Sequence, residues 1–375
     1  MTLTIGSLCT GAGGLEVAVA HGLDATVAWH VEHDPHASRV LAAHHPDVPN
    51  HGDVKSTDWS GIEPVDIVVA GFPCQDISNA GSRKGIIHGR RSSLWSSVAE
   101  AVRVLRPEYV FLENVAAIRS RGLDVVAQDL AQVGYDVRWT CVRAGDPETG
   151  APHRRDRWFA VAHPAAADPE RCGWDGRPWH VHQTAGRPQP ADGGDGTPEL
   201  AGVVDLLPTP IVGDARGTRN FTSGRSEGAR FNSGKTLTDV AWLLPTPKAS
   251  DGPHGGPNQR DASGRYYLPG QAVRLDEDWV ASDGTDYGPA IRRWERAFGH
   301  AAPEPTMIGK RGGTTLAPAF AEWMMGLDPG HVTTPDLGIP RAQQLQIIGN
   351  GAMWQQAYTA YRWLLRADVR AEAAA

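Results

Sequence analysis

One thiol in this 375-residue chain stands where it can do chemistry. The stretch VAGFPCQDIS, residues 69 to 78, reads as an apolar strand end, a Gly-Phe-Pro turn that no regular element continues through, and then Cys74 on an irregular loop. In an open α/β sheet, ligands bind in the crevice beyond the carboxyl ends of the strands, so a sulfur presented there is placed to meet a substrate as a nucleophile. The competing reading is a buried, inert cysteine. Glu113 ends a second apolar run, EYVFLENV, at the same expected edge, where a carboxylate is expensive unless it is partnered or solvated. In GAPHRRDRW, Arg155 and Arg157 alternate, and they share one face if that segment is extended.

These groups need strands and turns to hold them. Residues 3 to 9, LTIGSLC, predict a short buried strand that breaks at Thr10-Gly11-Ala12-Gly13-Gly14 before a helix through Val19. Glycines there let backbone N–H groups approach a ligand at a helix N-terminus, although any tight strand-to-helix turn looks the same. A second strand, Thr26 to Val31, delivers Glu32 about 20 positions beyond the turn, the spacing at which a carboxylate grips a ribose diol. The histidines at 30, 33, 36, 44 and 45 are read as a solvated face of the helix from Pro35 rather than as metal ligands. Asp53 follows at the expected end of a third strand, and a fourth, Val65 to Ala70, runs into the cysteine loop. Further strands are expected at EYVFLENV, YDVRWTCV and RWFAVAH, with helices from Ser93 to Leu105 and near Leu123 to Val133.

Taken in order, the glycine turn, Glu32, Pro73-Cys74-Gln75, Glu113-Asn114-Val115, the paired arginines and Ile348-Gly349-Asn350-Gly351 resemble the motifs of the cytosine-C5 DNA methyltransferase family. The resemblance covers about 1 to 163 and 310 to 366. Two places depart from it: His153 stands where the family pattern Pro-Gln-x-Arg-x-Arg has Gln, and Gly351 stands where a small residue such as Ala or Ser is usual. The resemblance implies an α/β fold, a Rossmann-like S-adenosylmethionine-dependent methyltransferase sheet with a second, smaller irregular target-recognition domain. It divides the chain into 1–163 plus 306–375 for catalysis and cofactor, and 164–305 for target recognition. Catalytic roles fall on Cys74, Glu113, Arg155 and Arg157. Leu8, Cys9, Thr10, Gly11, Gly13, Gly14, Glu32, His33, Asp53, Val54, Phe72, Pro73, Asn350 and Gly351 would bind S-adenosylmethionine, with Asp53 taking the adenine amino group. Gln75, Ser78, Arg83, Lys84, Arg90, Arg91, Arg216 and Arg219 would meet DNA.

The implied reaction is methylation of C5 of a flipped cytosine in a specific duplex site. C5 is a weak nucleophile, so Cys74 must first add to C6. Alternatives are a tRNA cytosine-C5 methyltransferase and a catalytically idle DNA-binding protein on the same scaffold; a nicotinamide dehydrogenase fits the turn and Glu32 but leaves the other motifs unexplained. Double-stranded DNA is the expected partner of a monomeric enzyme, with a cognate restriction endonuclease acting separately as a further one.

Composition bounds the rest. Four cysteines without CxxC pairing suit a reducing cytoplasm, no zinc site is legible, and no run approaches the roughly 18 apolar residues of a membrane span. A net charge of −7 leaves DNA contacts to local clusters. One is the acid-free loop SNAGSRKGIIHGRRSSLW, residues 78 to 95. Another is residues 206 to 270, with eight basic side chains against five acidic ones. After His163 periodicity fades, and ELAGVVDLLPTPIVGD at 199 is echoed by TLTDVAWLLPTPKASD at 236, two units read as framework. Periodicity returns as a helix from Leu316, then as a strand or turn at 344 leading into a long amphipathic helix.

Overall fold

The computed structural model of the chain describes residues 2–72, 94–165, 242–310 and 312–372, with side chains described as far as 365. Six apolar runs become strands β1 (Thr4–Leu8), β2 (Thr26–Val31), β3 (Ile67–Gly71), β4 (Tyr109–Val115), β5 (Tyr135–Arg143) and β6 (Asp156–Pro164). They form one sheet in the order β2-β1-β3-β4-β6-β5. The first four are parallel, and β6 runs antiparallel to both β4 and β5. Helices α1 (Gly14–Leu23), α2 (Pro35–His44), α3 (Leu94–Leu105) and α4 (Leu123–Gln132) connect these strands.

Strands covered on both faces must be apolar at successive positions, and β3 is. Its Ile67 and Val69 share a core with Leu15 and Val19 of α1, while Val68 and Ala70 face Val98 and Val102 of α3 and Val126 of α4. The long carboxyl-terminal helix, α9 (Trp354–Glu372), closes the α1 side. Its Tyr361 stands edge-on to Phe111 and Phe159, with ring centroids 4.9 and 5.6 Å away. Such aromatic pairs add about 0.5–1.5 kcal/mol each beyond the area they bury. In α3, Trp95, Val98, Ala101, Val102 and Leu105 bury one stripe at helical spacing.

Three expectations need correction. The third strand expected to end at Asp53 is reduced to a single bridge between His30 and Asn50. Pro46 and Pro49 offer no N–H to a ladder, and Gly52 turns the chain at φ +84. His30 is not on a solvated helix face: it belongs to β2 and is 1% exposed. Residues 344 to 350 are neither strand nor turn but the end of α8 (Arg341–Asn350), which stops at Gly351 before α9 begins. Arg341, Gln343, Gln344, Leu345 and Gln346 are good helix formers, and that propensity outweighs the short apolar pair Ile347-Ile348.

Residues 242 to 310 carry α5 (Leu268–Ala272), α6 (Gly288–Phe298) and the first strand of a two-stranded hairpin, β7 (Thr306–Ile308) with β8 (Thr314–Leu316). Leu244, Leu268, Tyr287, Ile291 and Trp294 share one apolar cluster with α7 (Pro318–Met324), α8, and Ala37 and Val40 of α2. The boundary drawn at 305/306 thus runs through a shared core.

Candidate active site

The first crossover, β1 to β2, runs to one side of β1, and the next returns to β3 on the other, so the strand order reverses beside β1, at the switch point where α/β sheets hold ligands. A cavity of about 450 Å³ opens there. Its wall takes Cys9, Thr10 and Gly11 after β1, Glu32 and His33 after β2, Val54, Phe72 after β3, Glu113 to Val115 at the end of β4, Arg157 of β6, and Asn350 and Gly351 at the end of α8. Glu32 binds back to the glycine turn: Gly11 N–H donates to its Oε2 at 2.8 Å, and Asp34 N–H donates to its Oε1 at 2.8 Å. Each carboxylate oxygen retains a further lone pair for a hydroxyl. This donor set, beside a positive-φ glycine turn at the start of α1, fits a nucleoside cofactor.

The other glycines of the turn do different work. A Cβ at Gly14 would lie 2.1 Å from the Ala352 carbonyl oxygen, so a bare backbone there lets the carboxyl-terminal segment reach the cavity. Gly13, at φ +91, has the Glu16 carboxyl 3.3 Å from where its Cβ would be. Leu8 is fully buried in the sheet core. Asp53 lies between the wall residues Gly52 and Val54 and caps its own turn by accepting from Lys55 N–H at 3.0 Å.

At the far wall, Arg157 Nε meets Glu113 Oε1 at 2.8 Å, with the two side chains 18% and 10% exposed. Arg155, one pleat back, is buried and donates to the carbonyls of Gly349, at 3.2 Å, and Gly351. It therefore fastens the α8 end to the sheet rather than lining the cavity. Burial and then the Arg157 charge push its guanidinium downward, with Glu113 pulling the other way; a guanidinium nonetheless stays cationic. Asn114 Nδ2 donates to the Phe72 carbonyl at 3.0 Å, which ties β4 to the start of the cysteine loop. Two residues of α9 escaped sequence reasoning. Gln356 donates to the carbonyls of Val142 and Arg155 at 2.7 and 2.8 Å, and Tyr361 O–H donates to Leu112 O at 3.1 Å. A glutamine among the core positions of an amphipathic helix was the available signal.

Cys9 lines the cavity too, but burial, Glu32 and Asp53 push its thiol up to about 12. It stays protonated at neutral pH and is no nucleophile. Beneath the turn, burial above all holds the Glu16 carboxyl at about 8, with Ser7 O–H donating to it at 3.3 Å and opposing the rise. His30 lies 3.8 Å away, pushed down to about 4 by burial and by His45. Both groups are therefore neutral near pH 7. A carboxyl raised from its usual 4.5 contributes stability that is complete below 4.5 and lost as pH climbs toward 8. Glu16→Gln removes that slope. Urea unfolding of the two proteins should show the stability difference moving toward the variant by on the order of 3 kcal/mol between pH 5 and pH 8. A difference that stays constant with pH would mean that Glu16 does not titrate in this range.

Pro73, Cys74, Gln75, Ser78, Arg83, Lys84, Arg90, Arg91, Arg216 and Arg219 lie outside the described residues. No helix among the described residues is long and apolar enough to cross a membrane.

A family profile for C-5 cytosine-specific DNA methylase matches residues 3–187. Among curated proteins, the chain is 35% identical over 156 residues to the type II methyltransferase M.CviJI of Paramecium bursaria Chlorella virus IL3A, covering 40% of this chain and 42% of that protein. It is 31% identical over 159 residues to M.NlaX of Neisseria lactamica, covering 41% and 50%. The matched part thus spans about half or less of each relative's length. Among solved structures, an Entamoeba histolytica methyltransferase superposes with a TM-score of 0.56 at 14% identity, over 98% of this chain and 99% of that one. The Dnmt2 methyltransferase of S. pombe superposes with 0.50 at 13%, over 98% and 99%. These two likenesses concern the fold alone; what the chain shares with the C-5 cytosine-specific DNA methylase family lies in residues 3–187, just under half of its length.

Proposed function

We propose that this protein is a DNA (cytosine-5-)-methyltransferase, using S-adenosylmethionine to methylate C5 of a flipped cytosine in a specific duplex site. The observation that carries the reading is the Glu113–Arg157 pair at 2.8 Å, set in the wall of the same cavity that holds Glu32 and Asn350. It puts a carboxylate and a cation in the same cavity as Glu32, which would hold the cofactor's ribose. Bound S-adenosylmethionine supplies an electrophilic methyl group on its sulfonium.

The chain's own residues do the remainder. The Cys74 thiolate adds to C6, and the electron pair displaced from the C5–C6 double bond makes C5 nucleophilic. Once C5 has taken the methyl group, loss of its proton and departure of the thiolate from C6 restore the ring. Glu113 holds N3 and the exocyclic amine as charge develops there, and Arg157 grips O2. Arg155, behind it, keeps Gly349 and Gly351 at the cavity wall.

The division into 1–163 plus 306–375 and 164–305 belongs to this proposal, the central part choosing the site on double-stranded DNA. Its described portion interleaves cations with aromatics. Lys248 lies 4.2 Å from the Tyr267 ring, and Arg260 and Arg274 each lie 3.7 Å from the Tyr266 ring. Much of the hydrogen-bonding capacity of the two arginines is spent on nearby carbonyls, so they suit charge and stacking more than base reading. A separate restriction endonuclease would make the methylation protective.

Bisulfite sequencing of DNA and tRNA from cells expressing the protein tests the reading. Protected cytosines should cluster at one recurring DNA site. Protection in tRNA alone, or nowhere, overturns it.

A further inference from the structure

His153 departs from the family pattern, and three separate parts of the chain meet at it. It sits on the connection between β5 and β6, two residues before Arg155, and its side chain is fully enclosed. Nε2 lies 3.0 Å from the Met324 carbonyl oxygen at the end of α7. A carbonyl only accepts, so Nε2 carries the hydrogen and Nδ1 is left as the acceptor for the Arg155 backbone N–H, at 3.4 Å. The backbone of His153 also bridges in parallel to Leu244, whose N–H donates to Pro152 O at 2.8 Å. Leu244 belongs to the second LLPTP unit. The same unit continues to Lys248 and Ala249, whose backbone lies 2.1–2.2 Å from where a Cβ on Gly349 would be. The segment from 243 to 249 is therefore wedged between His153 and the end of α8, the two places that Arg155 joins. Protonation would turn Nδ1 from acceptor to donor against an N–H, and burial with the Arg155 charge accordingly pushes the imidazole down to about 3.

Resting on the function proposed above, we infer that His153 is a positioning residue: its neutral imidazole sets Arg155, and through it Arg157, at the depth in the cavity that the reaction requires. A glutamine carboxamide offers the same pair, an N–H for Met324 O and an oxygen for Arg155 N–H. The inference is therefore about one donor and one acceptor in fixed relation, and not about imidazole chemistry.

The test uses full-length protein, active-site titration and single-turnover methyl transfer with saturating DNA and S-adenosylmethionine. Wild-type turnover comes first; without it the proposed function fails and His153 is not at issue. With it, His153→Gln should keep the single-turnover rate within about threefold. His153→Leu fills the space but makes neither bond, and should lose at least about tenfold per active site. Both rate–pH profiles should keep the wild-type shape from pH 6 to 9. If His153→Leu does not fold, His153→Asn replaces it, since its shorter carboxamide cannot span both partners, and it should show the same loss. A merely structural residue would lower the melting temperature and the titrated fraction while leaving the rate per active site unchanged, and that result overturns the inference. So does a glutamine variant as slow as the leucine one.

Discussion

Cys74→Ala should lower methyl transfer by at least about a thousandfold while S-adenosylmethionine binds within about twofold of wild type. C5 of cytosine does not take a methyl group unaided, and without a sulfur at C6 nothing in the proposed site makes it enamine-like. Cys9, which lines the cavity, cannot substitute, because burial and two carboxylates hold it at about 12. An ordinary cysteine near 8.5 is already about a tenth thiolate at pH 7.5, so Cys74 needs only modest help from nearby positive charge. The cofactor side of the cavity is built from the β1 and β2 ends and from α8, so removing one sulfur leaves it intact. Tritiated methyl transfer and calorimetric titration of the cofactor separate the two effects. Residual turnover within tenfold of wild type would sink the covalent mechanism, whereas lost cofactor binding would make Cys74 part of that pocket instead.

Much of the scaffold was legible in the sequence because its central strands are buried on both faces. Runs such as IVVAG and YVFLENV suit buried strands, their ends placed Glu32 and Glu113 at one sheet edge, and the family resemblance added Arg157 to them. Backbone-to-backbone proximity was not legible. Gly14 reads as a cofactor glycine by spacing, yet its lack of a side chain admits Ala352 from more than 330 positions away. Arg155 shares a face with Arg157 by alternation and takes a catalytic role by the resemblance, yet its partners are the carbonyls of Gly349 and Gly351, which no side-chain pattern announces. The strand expected before Asp53 failed because proline and glycine broke its ladder, and the helix at 341 was hidden by an apolar pair that suits a strand equally well.

Glu113→Gln should cut the single-turnover rate by about 100- to 1,000-fold and leave DNA affinity within about threefold. Glutamine has the shape of glutamate and can still hydrogen-bond a base edge, but it carries no charge to balance a ring gaining a proton at N3. The substitution also strips Arg157 of the partner 2.8 Å from its Nε, and so raises the question of whether Glu113 acts on the base or only holds the arginine. A double-mutant cycle separates these. Arg157→Met keeps the aliphatic body and removes the cation; if Glu113 acts only through Arg157, the double variant should be no slower than Arg157→Met alone. If each side chain touches the base, the double variant should be slower than either single one. Fluorescence of 2-aminopurine at the target position reports flipping throughout, and it should stay near the wild-type value in Glu113→Gln, because extrusion of the base precedes the step that needs the charge. An unchanged single-turnover rate in Glu113→Gln would reduce this carboxylate to a structural partner of β6 and move the search for the group that holds N3 to Asn114 and the cysteine loop.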